Sequence, residues 1–335
     1  MKRWKKILFP FIVFVLMVGL AACNFGSSGN SDLEKVRVAE VTRSVFYAPL
    51  YVAVEQGFFE DEGLDVQVTT VWGGDKTMTA LISGGADIAL VGSETSIYVS
   101  AQGSTDPIIN FAQLTQTDGT FLVSREKIED FSWDMLIDSD FLGQRKGGMP
   151  QMVGEFVLKQ HDINPHTDLN LIQNIDFANI ANAYISGTGD FVQLFEPQAS
   201  MFEKEGRGYI VASFGTESGH VPYTTFMTKD SYLTKNDETV EKFTRAIYKA
   251  QQWVYENSSA DTAKLIKNYF TDTDLDIIES SIERYKNQES FATNPILDED
   301  EWENLQNIMN EAGELPKRVD YDELVNTEFA KKVME

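Results

Sequence analysis

The chain has 335 residues, enough for two ordinary domains, and its 42% apolar and 24% charged residues suit a protein with real cores. Its 52 acidic against 28 basic residues give a net charge of −24, which argues against nucleic acid as a partner and against a polybasic grip on anionic lipid by the folded part. One Cys and three His, at 161, 166 and 220, exclude an intrachain disulfide and make no convincing ligand set, so neither a metal nor a cofactor is expected.

The N-terminus reads as an export signal. Residues 1–6 carry four positive charges, and Ile7 to Ala22 are sixteen apolar or small residues without a charge. That run falls short of the roughly 20 residues a spanning helix needs and fits a secretory signal. It ends Leu20-Ala21-Ala22-Cys23, and small residues before the only cysteine resemble a bacterial lipobox. The resemblance implies cleavage before Cys23 and a thiol carrying diacylglycerol, with palmitate as the label to look for. Loss of residues 1–22 removes four positive charges and no acid, leaving −28 on the mature chain. Residues 23–33, rich in Gly, Ser and Asn, read as a flexible tether. Nine such residues after Cys23 reach at most about 30 Å, which keeps the folded body near the membrane and outside it. No later apolar run approaches spanning length.

From Lys35 the pattern alternates strand and helix. Lys35 to Val41 reads as a strand, Thr42 to Tyr47 as a loop, and Ala48 to Gln56 as a short helix closed by Gly57. Asp65 to Val71 is the next strand. Gly73-Gly74-Asp75 leads into a helix to Ser83, with Asp75 the expected N-cap, and Ala86 to Val91 is a third strand. Such units imply a mostly parallel sheet covered on both faces. The segment Ala80–Gly92 returns as Ala183–Phe195, at an offset of 103, with identical Ala, Ile, Ser, Gly and Asp positions. A repeat this long means two similar α/β units. In the second, Phe141 to Arg145, Leu169 to Ile175, Asp190 to Phe195 and Tyr209 to Phe214 read as strands, and helices are expected over 149–161, 176–185 and 197–204. Pro150 and Pro197 stand where helices begin.

After Tyr223 to Thr228, a last strand, helices dominate. Val240, Phe243, Ile247, Ala250 and Val254 share one face of a helix over Asp237 to Asn257. Further helices are expected at 260–270, 273–287, 298–312 and 321–334, the acidic run Asp298-Glu299-Asp300-Glu301 being a solvated helix start.

Lipobox, tether and paired α/β units resemble the substrate-binding lipoproteins of bacterial ABC importers. The stretches Pro49–Phe59, Gly63-Leu64-Asp65-Val66 and Leu81–Ala89 resemble the NMT1/THI5-like branch, which binds thiamine-pyrimidine precursors, alkanesulfonates, nitrate and related small molecules. The resemblance implies a two-lobed type II periplasmic-binding-protein fold. Residues 34–118 and 222–335 would form lobe 1 and residues 119–221 lobe 2, joined by crossovers near Gln116–Thr120 and Gly219–Val221. It also implies a monomer on the outer face of the cytoplasmic membrane, held by its lipid alone and serving a permease and ATPase complex. Pyrimidine synthases related to this branch use a cysteine-rich motif that this chain lacks, and it has neither a Gly-x-Ser-x-Gly elbow nor a P-loop, so no enzyme is expected. A sensor that binds ligand without transport remains an alternative.

Ligands of open α/β sheets bind outside the carboxyl ends of the strands. Those ends hold Arg43, Ser44, Phe46, Tyr47, Trp72, Gly73, Gly74, Ser93 and Glu94 in the first lobe, and Gly148, Met149, Phe177 and Glu196 in the second, with Tyr223 at the second crossover. Phe195 adds an aromatic, Arg145 and Lys146 add charge, and Asp118 and Asn174 are weaker candidates. The aromatics suit a planar ligand, and the glycine pairs offer bare N–H groups. Arg43 is the only base at a first-lobe strand end, and Glu196, the counterpart of Ser93 in the repeat, would repel an anion. This favours an aminopyrimidine-like nitrogen heterocycle over an alkanesulfonate or nitrate. The histidines are expected at the surface or in packing.

Overall fold

The computed structural model describes residues 33–335. The expected export signal, Cys23 with its expected lipid, and the expected tether before Leu33 lie outside the described residues. Among the described residues, ten strands form two five-stranded sheets. The first unit contributes β1 (Glu34–Glu40), β2 (Leu64–Thr70), β3 (Ile88–Gly92) and β4 (Ile108–Thr115). Between them run α1 (Ala48–Glu55), α2 (Gly74–Ile82) and α3 (Glu94–Ala101). The second sheet holds β5 (Thr120–Ser124), β6 (Asp140–Leu142), β7 (Asn170–Ile172), β8 (Phe191–Phe195) and β9 (Tyr209–Ser213). Its helices are α4 (Met149–Gln160), α5 (Ile180–Ile185) and α6 (Gln198–Lys204). The last strand, β10 (Thr224–Lys229), returns to the first sheet.

The two sheets have one plan, β2-β1-β3-β10-β4 and β7-β6-β8-β5-β9. They are mixed where a mostly parallel sheet was expected. β1 runs parallel to β3, and β6 runs parallel to β7 and β8. The fourth strand of each sheet is antiparallel to both neighbours. The reason is where the chain enters. β10 and β5 are the first strands after a crossover, so each enters its sheet at the carboxyl ends of the parallel strands. Thr224 accordingly pairs with Gly92, the last residue of β3, and Thr120 pairs with Phe195, the last residue of β8.

The repeat has a structural meaning. β3 and β8 lie at the offset of 103, and so do Arg37 in β1 and Asp140 in β6. Asp87 accepts from the Arg37 amide at 2.9 Å, and its counterpart Asp190 accepts from the Asp140 amide at 2.9 Å. The shared Asp thus ties the start of each third strand to its parallel neighbour.

The crossovers run side by side. The Val221 amide donates to the Gln116 carbonyl at 3.0 Å, and that of Tyr223 donates to Thr115 at 3.1 Å. After β10 come α7 (Asp237–Glu256), α8 (Ser259–Ile266), α9 (Leu275–Asn287) and α10 (Glu299–Glu311). The expected apolar face of α7 is fully buried, with Phe243 packed edge-on against Phe111 and Phe226. Tyr285 of α9 sits at the junction of the lobes, its ring 5.0 Å from Phe46 and 5.8 Å from Phe121, and its hydroxyl donates to the Gly119 carbonyl.

Three local expectations change. Gly73 occupies the N-cap of α2, and Asp75 falls inside the first turn. The helix expected over 321–334 breaks into Tyr321–Leu324 and Glu328–Met334, because Val325 bridges to Asn110 and Asn326 donates to the Asn110 carbonyl at the edge of β4. Of the acidic run, Glu301 turns inward and accepts from Gln113 at 3.0 Å, so only its neighbours form a solvated start. The sequence pattern also assigns no element to Glu94–Thr115, where α3 and β4 lie almost wholly buried and show no amphipathic period.

Candidate functional site

A cavity of about 960 Å³ opens between the carboxyl ends of the two sets of strands. The first lobe contributes Val41, Thr42, Tyr47, the turn Trp72–Asp75, Gly92, Glu94, Thr95 and Tyr98. The second contributes Gln144–Pro150, Asp176–Asn179 and Phe195, and Tyr223 comes from the crossover. Local chemistry explains two of these features. Trp72 and Gly73 both have positive φ, 53° and 126°, which turns the chain sharply after β2 and leaves the indole at the cavity mouth, 44% exposed. At position 92 glycine leaves room for Glu94, because a Cβ would stand 2.0 Å from Oε2 of Glu94 and displace its carboxyl.

Glu94 is the electrostatic centre of the cavity. It opens α3, is only 3% exposed, and its Oε1 accepts from the Met149 amide of the opposite lobe at 3.3 Å. Its Oε2 meets no donor. Burial outweighs those backbone bonds and pushes the carboxyl up to about 8. The hydroxyls of Tyr47, Tyr98 and Tyr223 are likewise raised by burial. Gln144 donates through Nε2 to the Gln193 carbonyl at 2.7 Å, and its Oε1 is unpartnered. At the mouth, Arg145 reaches across to Asp75 at 3.2 Å and lies 3.5 Å from Asp176 in its own lobe.

Of the residues expected at the site, Tyr47, Trp72, Gly73, Gly74, Glu94, Gly148, Met149, Phe177 and Tyr223 line this cavity, together with Phe195, Arg145 and Lys146. The structure places the other five elsewhere. Arg43 folds back onto Glu40 at 2.6 Å and Thr70 at 3.1 Å, with Tyr51 and Tyr269 beneath its guanidinium. Ser44 caps the turn before α1 and donates to the Glu196 carbonyl at 2.7 Å. Phe46 is fully buried among Tyr47, Phe195, Tyr223 and Tyr285. Ser93 donates to the Pro222 carbonyl of the second crossover. Glu196 is 1% exposed and turns behind Phe195. Its carboxylate accepts from the Ser200 amide at 2.9 Å and the Ser200 hydroxyl at 2.7 Å, and Arg284 lies 3.2 Å away. Ser93 and Glu196 are equivalent in the repeat, as expected, but both serve the frame.

The weaker candidates also fall outside. Asp118 is buried in the first crossover, where it accepts from the Thr120 amide at 2.5 Å and from the Thr120 hydroxyl, and burial lifts its carboxyl to about 6. Asn174 is exposed. His161 stacks on Trp133, while His166 and His220 lie beside Glu155 and Glu301. Among the described residues no group of three or more His, Cys, Asp or Glu side chains could hold a metal, and no helix is long and apolar enough to cross a membrane.

Gln144 and Tyr98 escaped the sequence reading. The strand expected to run to Arg145 ends at Leu142, which brings Gln144 to the strand mouth, and Tyr98 stands on a helix without an apolar period.

A family model described as NMT1/THI5 like matches residues 45–260. YtlA of Bacillus subtilis (strain 168) is 65% identical and covers 99% of both chains. The formylaminopyrimidine-binding protein of Halalkalibacterium halodurans is 23% identical over 74% of this chain and 75% of its own. Among solved structures, the alkanesulfonate-binding protein SsuA from Xanthomonas axonopodis pv. citri, bound to MOPS, superposes with a TM-score of 0.69 at 16% identity, covering 89% of this chain and all of that one.

Proposed function

Because this chain belongs to the NMT1/THI5-like family, we propose that it is the extracytoplasmic substrate-binding protein of an ABC import system and delivers a small nitrogen heterocycle of aminopyrimidine type to a permease and ATPase complex. The observation that carries the ligand class is the mismatch inside the cavity. Its aromatic walls enclose two buried oxygens, Glu94 Oε2 and Gln144 Oε1, that find no donor in the protein. A planar ring bearing N–H groups fills both needs, stacking on Tyr47, Trp72 or Phe177 and donating to the oxygens. The formylaminopyrimidine-binding relative supports the same direction.

An anion such as a sulfonate or nitrate is the second reading, favoured by Arg145, Lys146 and the glycine turn before α4, all on the cavity wall. A thermal-shift panel separates the two. Ligand at 100 times its dissociation constant adds about 2.7 kcal/mol to stability. Stabilisation by aminopyrimidines is expected, and stabilisation by sulfonates or nitrate alone would reverse the assignment. Mass spectrometry of whatever co-purifies would identify the natural ligand.

The proposal includes anchoring through lipidated Cys23 after loss of residues 1–22. Radioactive palmitate should label the wild-type protein and not Cys23→Ala, and a Cys23→Ala protein that stays equally membrane-bound would remove the anchor from the proposal.

A further inference from the structure

We infer that closure of the lobes is coupled to a proton through Glu94: the cleft closes on the protonated side chain and loosens when that side chain ionises, so acidic pH favours capture and alkaline pH favours release. The inference rests on reading the chain as a binding protein whose lobes part, and on no particular ligand. Glu94 stands where closure is made. It opens α3 of the first lobe, and its Oε1 accepts from the Met149 amide of the second lobe at 3.3 Å. With the lobes together it is 3% exposed and its Oε2 meets no donor. Parting the lobes takes Met149 away and lets water into the cavity. The carboxyl is therefore dry in one arrangement and wet in the other. A buried carboxylate short of partners is costly, and the neutral acid is much less so.

The groups that face Glu94 in the closed cleft do not restore its charge. Three hydroxyls surround it, those of Tyr47, Tyr98 and Tyr223, each raised by burial and neutral. Beyond Tyr223 lies Asp118, and beside Tyr98 lies Glu314, both acids. Lys146 and Arg145 are on the cavity wall with exposed side chains, and Arg145 is shared between Asp75 and Asp176. Among the described residues neither cation pairs with Glu94. Only two backbone amides oppose burial, its own and that of Met149, and the carboxyl rises to about 8. In the open form water and the start of α3 return it to the ordinary 4.5. The closed form thus binds more protons than the open form. Closing gains by up to about tenfold per unit as pH falls from about 8 towards 4.5, and above 8 the gain is absent.

The test is small-angle scattering on the ligand-free full chain from about pH 5.5 to 8.5, for the wild type, Glu94→Gln and Asp118→Asn. The wild type should be most compact at the acid end and expand as pH rises, its closed-to-open ratio falling on the order of fiftyfold between pH 6 and 8. Glu94→Gln keeps the shape of the neutral acid and every other ionisable group, the three histidines included, so its radius of gyration should stay constant. Glu94→Met, also neutral, takes its place if that variant does not fold. Asp118→Asn removes the other raised carboxyl, in the first crossover, and should follow the wild type. A flat wild-type profile, or a neutral variant at position 94 that expands like the wild type, overturns the inference. A flat Asp118→Asn profile moves the switch to Asp118 and overturns it as well. No ligand enters the measurement, so these failures leave the binding function standing, and a thermal-shift panel in which nothing binds leaves the proton coupling standing.

Discussion

Glu94 and Asp118 hold protons in the folded chain at pH values where the unfolded chain has released them. Burial raises Glu94 to about 8 and Asp118 to about 6. For a raised carboxyl the native state binds more protons than the unfolded state, so stability falls as pH rises from the unfolded value to the folded one. The ligand-free protein should therefore lose stability between about pH 4.5 and 8, by an amount on the order of a few kcal/mol. Thermal melts at pH 5 to 8.5 check this, and the difference between wild type and Glu94→Gln isolates Glu94: it should grow with pH up to about 8 and then level off. A constant difference would show that the carboxyl is not buried as described. Glu196→Gln behaves differently. It leaves Arg284 without its buried partner and removes an acceptor from Ser200, so the melting temperature should drop by the equivalent of about 1–2 kcal/mol, discounted for the part-exposed arginine, while ligand affinity holds. A loss of affinity with unchanged stability would restore Glu196 to the ligand site. Its sequence position, at the end of a third strand, is right for the cleft. What the sequence does not carry is the side chain's direction, because Ser200 and Arg284 compete for the carboxylate from a helix turn and from a helix almost ninety residues away.

Elements with a marked period, or set off by glycines and turns, were legible, and others were not. The α7 helix shows its apolar stripe, and the strands β1, β2, β3 and β8 stand out between glycines and helices. β4 and β5 are buried along their whole length, so no alternation marks them. The antiparallel place of β5 and β10 depends on neighbours from the other end of the chain and leaves no local trace. The repeat was legible as a resemblance between segments, and its mechanical content is the Asp that ties adjacent strands. Asp190→Ala should release the exposed Asp140 amide at the start of β6 and cost about 0.5–1.5 kcal/mol, read from denaturant unfolding. An unchanged midpoint would make the repeated Asp a turn former only. Much of the cavity lining follows from strand ends, yet Gln144 and Tyr98 required knowing where a strand stops and that a helix exists.

At the scale of the molecule, the lobes are held together by the crossovers, by α9 and by α4 packed on α10, where Lys159 donates to the Glu311 carbonyl. Glu94 to Met149 and Arg145 to Asp75 are polar and cross the cavity itself. Opening breaks them at modest cost, since the carboxylate of Asp75 and the Arg145 guanidinium are both well exposed. Ligand bound to both lobes should hold them closed. Small-angle scattering should show a smaller radius of gyration with saturating ligand than without, and an identical profile would mean a body that is closed before binding.

The paired crossovers have a consequence for the integrity of the chain. Gly219 and His220 are exposed beside the second crossover, a suitable place for a protease. A cut there would not separate the two fragments, because the carboxyl fragment supplies β10, and β10 is wedged between β3 and β4 of the amino fragment. The nicked protein should elute as one particle and fall into two pieces only in denaturant, with β10 of the carboxyl fragment riveted into the sheet of the other.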